Sequence, residues 1–233
     1  MTLPVQINGI NIYPFKNSNN LMDYINKHKG ILVAINAEKI MNSTDELKQI
    51  INNNIGYADG IGTVWALKRK GFLAVQIPGY KLWLKIINKY EKSKSFYFIG
   101  GKENVINNVI KRLMNDYPDI NIINYRNGYL KSEKEKQELI KDVCIKKPDI
   151  VFVAMGSPQQ ELLMKDLHTK HPAIYQGLGG SFDVYTGAVS MPPEIWVKLG
   201  LISLYRTIKQ PVLRFKRFFS LLRFIYLCMK NEL

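Results

Sequence analysis

Along the chain, short continuous apolar runs alternate with longer stretches in which apolar residues recur at helical spacing. Val5–Ile12 alternates apolar and polar positions on either side of Asn8-Gly9, the dipeptide that most strongly favours a tight β-hairpin. A helix is expected near Asn20–Lys27, followed by Gly30–Ile35, GILVAI, a run apolar enough for a strand buried on both faces. Ser43 or Thr44 with Glu46 behind it starts a capped helix to about Asn52. Tyr57–Gly60 reads as a loop and Thr63–Lys70 as a helix; after Pro78-Gly79 a further helix is expected to Lys92.

From there the rhythm repeats. The pattern predicts a strand at Ser95–Ile99, a turn at Gly100-Gly101, a helix at Glu103–Tyr117 and a strand at Ile120–Asn124. Beyond the loop Arg126–Leu130 it predicts a charged helix over Lys131–Lys146, a strand at Ile150–Ala154, a helix at Gln159–Thr169 and a strand at Ala173–Gly177. Strand-turn-helix alternation of this kind implies an α/β, Rossmann-like fold, a mainly parallel sheet with helices on both faces. With no long linker and no internal repeat, residues 1–194 are expected to form this core and 195–233 an appendage.

The appendage is where charge changes the picture. Net charge is +14, and from Ile195 to Asn231 there are eight Lys or Arg and no Asp or Glu. Leucines, phenylalanines and tyrosines are interleaved with them, so the segment reads as a basic amphipathic helix interrupted by Pro211. Such a helix suits an interface with anionic lipid, the apolar face in the lipid boundary and the cations at the headgroups. A packed C-terminal helix with a solvated basic rim explains the same pattern. Nucleic-acid binding ranks last, because no nucleic-acid motif accompanies the charge.

Composition narrows the rest. A chain of 233 residues with 46% hydrophobic side chains can bury a full α/β core. Its two cysteines, Cys144 and Cys228, make no disulfide framework, which fits a reducing cytoplasm. The N-terminus lacks the features of a signal peptide, and no run of eighteen apolar residues occurs. Oligomeric state is left open.

Candidate chemistry gathers at the expected strand ends. Gly100 and Gly101 in FIGGKENV form a turn between strand and helix that suits a diphosphate held by backbone N–H groups, or simply a tight connection. Gly156, Ser157 and Gln160 in GSPQQE offer an open strand end; Ser157 also reads as a helix cap. Gly179, Gly180 and Asp183 lie in GLGGSFDVYTG, where Asp183 can orient the loop or a sugar hydroxyl. Asp59 in YADG, with no cation within three positions, is a candidate general base, although Asp-Gly is also an ordinary turn. Asn36 and Glu38 follow the first buried strand. His28, His168 and His171 make no metal-ligand spacing with carboxylates and no Asp-x-Asp occurs, so a metal-free site is expected. A nicotinamide enzyme would share the α/β frame, but neither the Rossmann glycine spacing nor its acidic ribose partner is present. A non-catalytic adaptor would explain the tail and leave these residues without a task.

Eight blocks in order carry a resemblance: AINAEK (34–39), YADGIG (57–62), FIGGK (98–102), NGYL (127–130), VAMGSPQQE (153–161), GLGGSFDVYTG (177–187), PPEIWVKLGLISLYR (192–206) and the basic tail. Together they resemble the WecG/TagA/CpsF bacterial glycosyltransferases over roughly residues 5–227. AINAEK and YADG are more similar to the N-acetylmannosaminuronic acid transferases of enterobacterial common antigen synthesis than to the teichoic-acid branch. The resemblance implies metal-independent, inverting transfer of an N-acetylmannosamine-type sugar from a UDP donor, with no cofactor. The implied acceptor is undecaprenyl-diphosphate-linked N-acetylglucosamine, and the implied place is the cytoplasmic membrane's inner face, with anionic lipids as partners. By the family pattern Asp59 is the general base, Asn36 positions the reacting groups and Gln160 contacts the donor. Arg206, Arg214 and Arg217 would reach the donor or lipid diphosphate. Where relatives carry Arg-x-x-Gly-x-Asp-Leu, this chain has Gln76 and Lys81 in place of the Arg and Asp, and Gln159 replaces a lysine. The sugar is therefore left open among N-acetylmannosamine, its uronic acid and a related hexosamine.

Overall fold

The computed structural model describes residues 3–198, 205, 208 and 211–233. Its centre is a six-stranded parallel sheet of order β4-β3-β8-β7-β5-β6, with helices around it. The strands are β3 (Gly30–Ile35), β4 (Ile55–Ala58), β5 (Ser95–Gly100), β6 (Asn121–Arg126), β7 (Ile150–Ala154) and β8 (Ile174–Gly177). Parallel registers run Gly30 to Ile174, Ile150 to Ile174, Phe96 to Ile150 and Ser95 to Asn121. The α/β, Rossmann-like expectation holds. By compactness the chain divides into two units, one of Met1–Leu21, Ala34–Pro78 and Ser190–Leu233, the other of Met22–Val33 and Gly79–Val189. Helix α1 (Ser18–Lys27) begins in the first and ends in the second.

The second unit carries β5 to β8 and the helices α5 (Gly79–Tyr90), α6 (Glu103–Asp116), α7 (Glu133–Lys146), α8 (Gln159–Lys170) and α9 (Ser181–Tyr185). Every residue of β7 and β8 is buried, as continuous apolar strands covered on both faces must be. The Trp83 ring lies edge-on to Phe152 and Phe182, with centroids 5.8 and 5.7 Å away, at the middle of an aromatic core. Toward the sheet edge, Asp142 of α7 accepts from the Tyr97 hydroxyl and the Asn124 amide, both at 2.7 Å. Burial and this carboxylate neighbour hold the Tyr97 hydroxyl well above its ordinary pKa, so it remains a donor.

The first unit opens with the predicted hairpin, β1 (Val5–Ile7) and β2 (Ile10–Ile12), in its own two-stranded sheet. Asn8 and Gly9 both take positive φ, 48° and 78°, as a two-residue turn of this hand requires. Around it lie α2 (Ala37–Asn42), α3 (Asp45–Asn52) and α4 (Ile61–Arg69), with α10 (Glu194–Lys198) and α11 (Pro211–Met229) near the C-terminus. Thr44 caps α3, its hydroxyl accepting from Leu47 N.

Two elements depart from the sequence reading. Asp59 follows a strand, β4, and not a helix: IGYA is wholly buried and only four residues long, too short for periodicity to identify. Asn36 is followed at once by the short helix α2. The C-terminal helix, for its part, combines a packed face with an exposed apolar one. Phe224 and Cys228 of α11 are buried, Phe224 lying against Gly62, where an added Cβ would come within 3.1 Å of the ring. Asn42 of α2 donates to the Ser220 hydroxyl at 2.8 Å. Facing outward are Phe219, Leu222, Ile225, Tyr226 and Met229. Among the described residues no helix is long and apolar enough to cross a membrane.

Candidate active site

In the first unit, β3 and β4 end beside each other, and the residues just past their ends form one cluster. The Ile35 carbonyl collects three donors: Asp59 N at 3.0 Å, Gly60 N at 3.4 Å and the buried Thr63 hydroxyl at 2.9 Å. Asn36, the next residue, caps α2 by accepting Lys39 N on Oδ1 at 2.9 Å, which fixes its side chain at the strand end. A Cβ built at Gly60 would stand 3.3 Å from Asn36 Cβ, so the two loops run side by side. Asn36 and Asp59, predicted separately, are thus neighbours. Both are half-buried, a setting that keeps a carboxylate accessible while shielding it from bulk water.

A residue with no assigned role completes this cluster. Gln76 donates from Nε2 to the Asp59 carbonyl at 2.7 Å, and Ile77 N donates to the Ala58 carbonyl at 2.8 Å. The backbone that carries Asp59 is therefore held from both sides, by β3 and by the 76–77 segment. In the sequence Gln76 stands out only as a departure from the family pattern; no local signal marks a long-range hydrogen bond. Gln76→Ala is expected to lower kcat about fivefold, the worth of one hydrogen bond of about 1 kcal/mol, with little change in KM for the donor. Steady-state kinetics on the purified variant check this, and an equal rise in KM would instead assign Gln76 to donor binding.

In the second unit the glycines past β5, β7 and β8 differ in kind. Gly100, at φ +136°, is dictated by packing: a Cβ there would meet the Ala154 carbonyl oxygen at 2.3 Å. Gly101 N donates to that same carbonyl at 3.1 Å, and Gly101 O accepts from Gly128 N at 2.9 Å. This turn's backbone is thus bound to β7 and to the 127–130 loop. Gly156 and Gly179 also have positive φ, but a Cβ added at either would meet nothing within 4 Å, so their backbones border open space.

Gln160 lies beneath the glycine loop that follows β8, with 5% exposure. Its Oε1 accepts from Gly179 N at 2.8 Å and its Nε2 donates to Glu161 at 3.0 Å. The side chain thereby shapes the 177–180 loop from within. Ser157 is exposed at the strand end and makes no cap; Pro158 holds the cap position of α8 without a side-chain hydrogen bond. Gly180 is the residue before α9, and Asp183 is half-buried in the first turn of that helix, its carbonyl accepting from Val189 N at 3.0 Å. Asp183 therefore has a structural place in the loop's return.

The histidines are accounted for by structure. His28 stacks on Tyr24, His171 contacts the Pro148 carbonyl at 2.8 Å, and His168 lies edge-on to Tyr175. Burial, with His171 nearby, depresses the His168 pKa and keeps its imidazole neutral. Among the described residues no three His, Cys, Asp or Glu side chains gather as a metal site would need. Arg206 and the side chains of Arg214 and Arg217 lie outside the described residues. Against known families, residues 5–233, nearly the whole chain, match the model described as Glycosyl transferase WecG/TagA/CpsF family.

Proposed function

This chain belongs to the WecG/TagA/CpsF glycosyltransferases of bacterial cell-surface polysaccharide synthesis, and from that membership we propose which reaction it carries out and which residues serve it. The donor is a UDP-linked N-acetylmannosaminuronic acid or N-acetylmannosamine-type sugar. The acceptor is undecaprenyl-diphosphate-linked N-acetylglucosamine, presented at the inner face of the cytoplasmic membrane. The single observation that carries this reading is the pairing of Asp59 with Asn36 past the ends of β4 and β3, where parallel α/β sheets bind their ligands.

In this reading the Asp59 carboxylate accepts the proton of the acceptor hydroxyl as its oxygen bonds to the sugar's anomeric carbon. The bond from that carbon to the donor phosphate oxygen breaks on the opposite face, and UDP leaves with the electron pair, inverting the configuration. Asn36 orients the reacting groups. Gly156, Ser157, Gly179 and Gly180 offer backbone and hydroxyl groups to the donor. Gln160 acts through the 177–180 loop that it holds, and Asp183 keeps the far side of that loop in place. Gly100 and Gly101 support the turn beside β7. Charge on the departing diphosphate is met by backbone donors and by Arg206, Arg214 and Arg217, whose planar guanidinium groups suit phosphate oxygens. Residues 195–233 seat the enzyme on anionic lipid while completing the site.

Ligand binding separates this from a nicotinamide-dependent enzyme. UDP at a hundred times its dissociation constant is expected to stabilise the protein by about 2.7 kcal/mol, seen as a rise in unfolding temperature, while NAD leaves it unchanged. Stabilisation by NAD and not by UDP would overturn the proposal.

A further inference from the structure

From the last turn of α4 onward the chain runs Lys68-Arg69-Lys70-Gly71-Phe72-Leu73-Ala74-Val75, and from Gly60 to Pro78 it contains no Asp or Glu. Phe72, Leu73 and Val75 are 43%, 71% and 41% exposed, whereas Ala74 and Ile77 are buried at 4% each. The segment is therefore pinned from beneath with its large apolar side chains outward. Backbone hydrogen bonds do the pinning: Phe72 N to Leu67 O at 3.0 Å and Val75 N to Phe15 O at 3.2 Å. Scattered single apolar residues on a surface need no explanation, but three in four positions, one glycine after three consecutive cations, form a patch.

The cationic start of this segment is bonded to the C-terminal end of α11. Arg69 donates to Asn231 Oδ1 at 3.0 Å and to the Met229 carbonyl at 3.1 Å, tying the start of the loop to the end of that helix. Met229 and Tyr226 are exposed there, with Arg223 and Lys230 exposed beside them. Apolar tips ringed by cations match the boundary of an anionic bilayer, where side chains enter the acyl edge and cations meet lipid phosphates. A second copy of the same face would instead set three cations against three cations.

We propose that Lys68–Val75 is a second membrane-seating element, in which Phe72 and Leu73 enter the headgroup boundary of an anionic bilayer and Lys68 and Lys70 meet lipid phosphate. The inference rests on the proposed reading of a lipid-linked acceptor and a membrane-seated tail, and it gives the membrane a second point of contact. The tip is three residues before Gln76, whose amide holds the Asp59 carbonyl, so seating the loop sets the depth at which the carboxylate meets an acceptor embedded in lipid.

The test uses the full chain and vesicles of phosphatidylcholine with and without phosphatidylglycerol. The Phe72→Ser/Leu73→Ser double variant is expected to bind anionic vesicles about tenfold more weakly than wild type. A Leu73→Trp variant is expected to be quenched by brominated lipid beyond the quenching of Trp65, Trp83 and Trp196 in the wild type. Wild-type binding to anionic vesicles with an unquenched Leu73→Trp and an unweakened double variant would overturn the loop assignment and leave the tail as the seat. Absence of wild-type binding to anionic vesicles would overturn both. A lipid-free, concentration-dependent blue shift of Leu73→Trp, matched by self-association, would assign the patch to a second copy of the chain instead.

Discussion

Asp59→Asn is expected to abolish most sugar transfer, lowering turnover about 100- to 10,000-fold, while UDP still binds. The substitution preserves shape and hydrogen-bonding capacity but removes the group that accepts the hydroxyl proton. The substitution also keeps the main-chain restraints on this position. Asp59 N is bound to the Ile35 carbonyl and the Asp59 carbonyl is held by Gln76, and neither bond involves the carboxylate. The unfolding temperature should therefore remain close to that of the wild type. The readout is turnover beside UDP affinity measured on the same preparation. Unchanged turnover would remove Asp59 as the base, and lost UDP affinity would move it to donor binding.

Phe224→Ala carries the second large effect, on stability. The ring is fully buried on α11, a helix packed against α2 and α4, and its edge faces Gly62 near the start of α4. Removing an aromatic side chain from such a position costs about 3–5 kcal/mol, through lost burial and the cavity left behind. For a chain of this length that corresponds to a fall in unfolding temperature of about 10 °C. Tyr226→Ala, two residues away but exposed, should change stability by less than about 0.5 kcal/mol. The contrast tests whether α11 is packed by one face. Equal, small effects at both positions would mean that the helix contributes nothing to the first unit. Removal of the whole tail also takes away Phe224, so point changes on the exposed face are the sharper probe of membrane seating.

Most of the fold is legible in the sequence because its strands are apolar runs bounded by glycine or by caps. Gly30–Ile35 and Ile150–Ala154 coincide with the observed strands, and the Asn8-Gly9 hairpin forms as its turn chemistry dictates. The misses have physical causes. β4 contains Gly56 and spans four residues, so its burial comes from tertiary packing that a local pattern does not encode. α2 is six residues long, and its clearest mark is Asn36, a residue that reads equally well as part of a site.

The candidate site is legible to a similar degree, residue type by residue type. Asn36 and Asp59 are visible as polar residues near apolar runs, and parallel pairing brings them together. Gln160 is visible as a conspicuous amide after a glycine turn, but its burial beneath Gly179 is not. Ser157 has the composition of a cap, yet Pro158 takes the cap position. Gln76 is invisible as a partner of Asp59 because the stretch between them includes all of α4. The glycines of FIGGK look alike in sequence, and only the approach of Ala154 shows that Gly100 is set by packing.

The most direct test of the reaction is transfer by the purified full chain to prenyl-diphosphate N-acetylglucosamine in detergent, with and without chelator. UDP-N-acetylmannosaminuronic acid and UDP-N-acetylmannosamine are supplied in separate reactions, and the anomeric configuration of the product is read by NMR. The expected result is turnover with one of the two donors, undiminished by chelator, with inverted configuration and loss in Asp59→Asn. Turnover that persists in Asp59→Asn, or a product with retained configuration, would contradict direct displacement with Asp59 as the base.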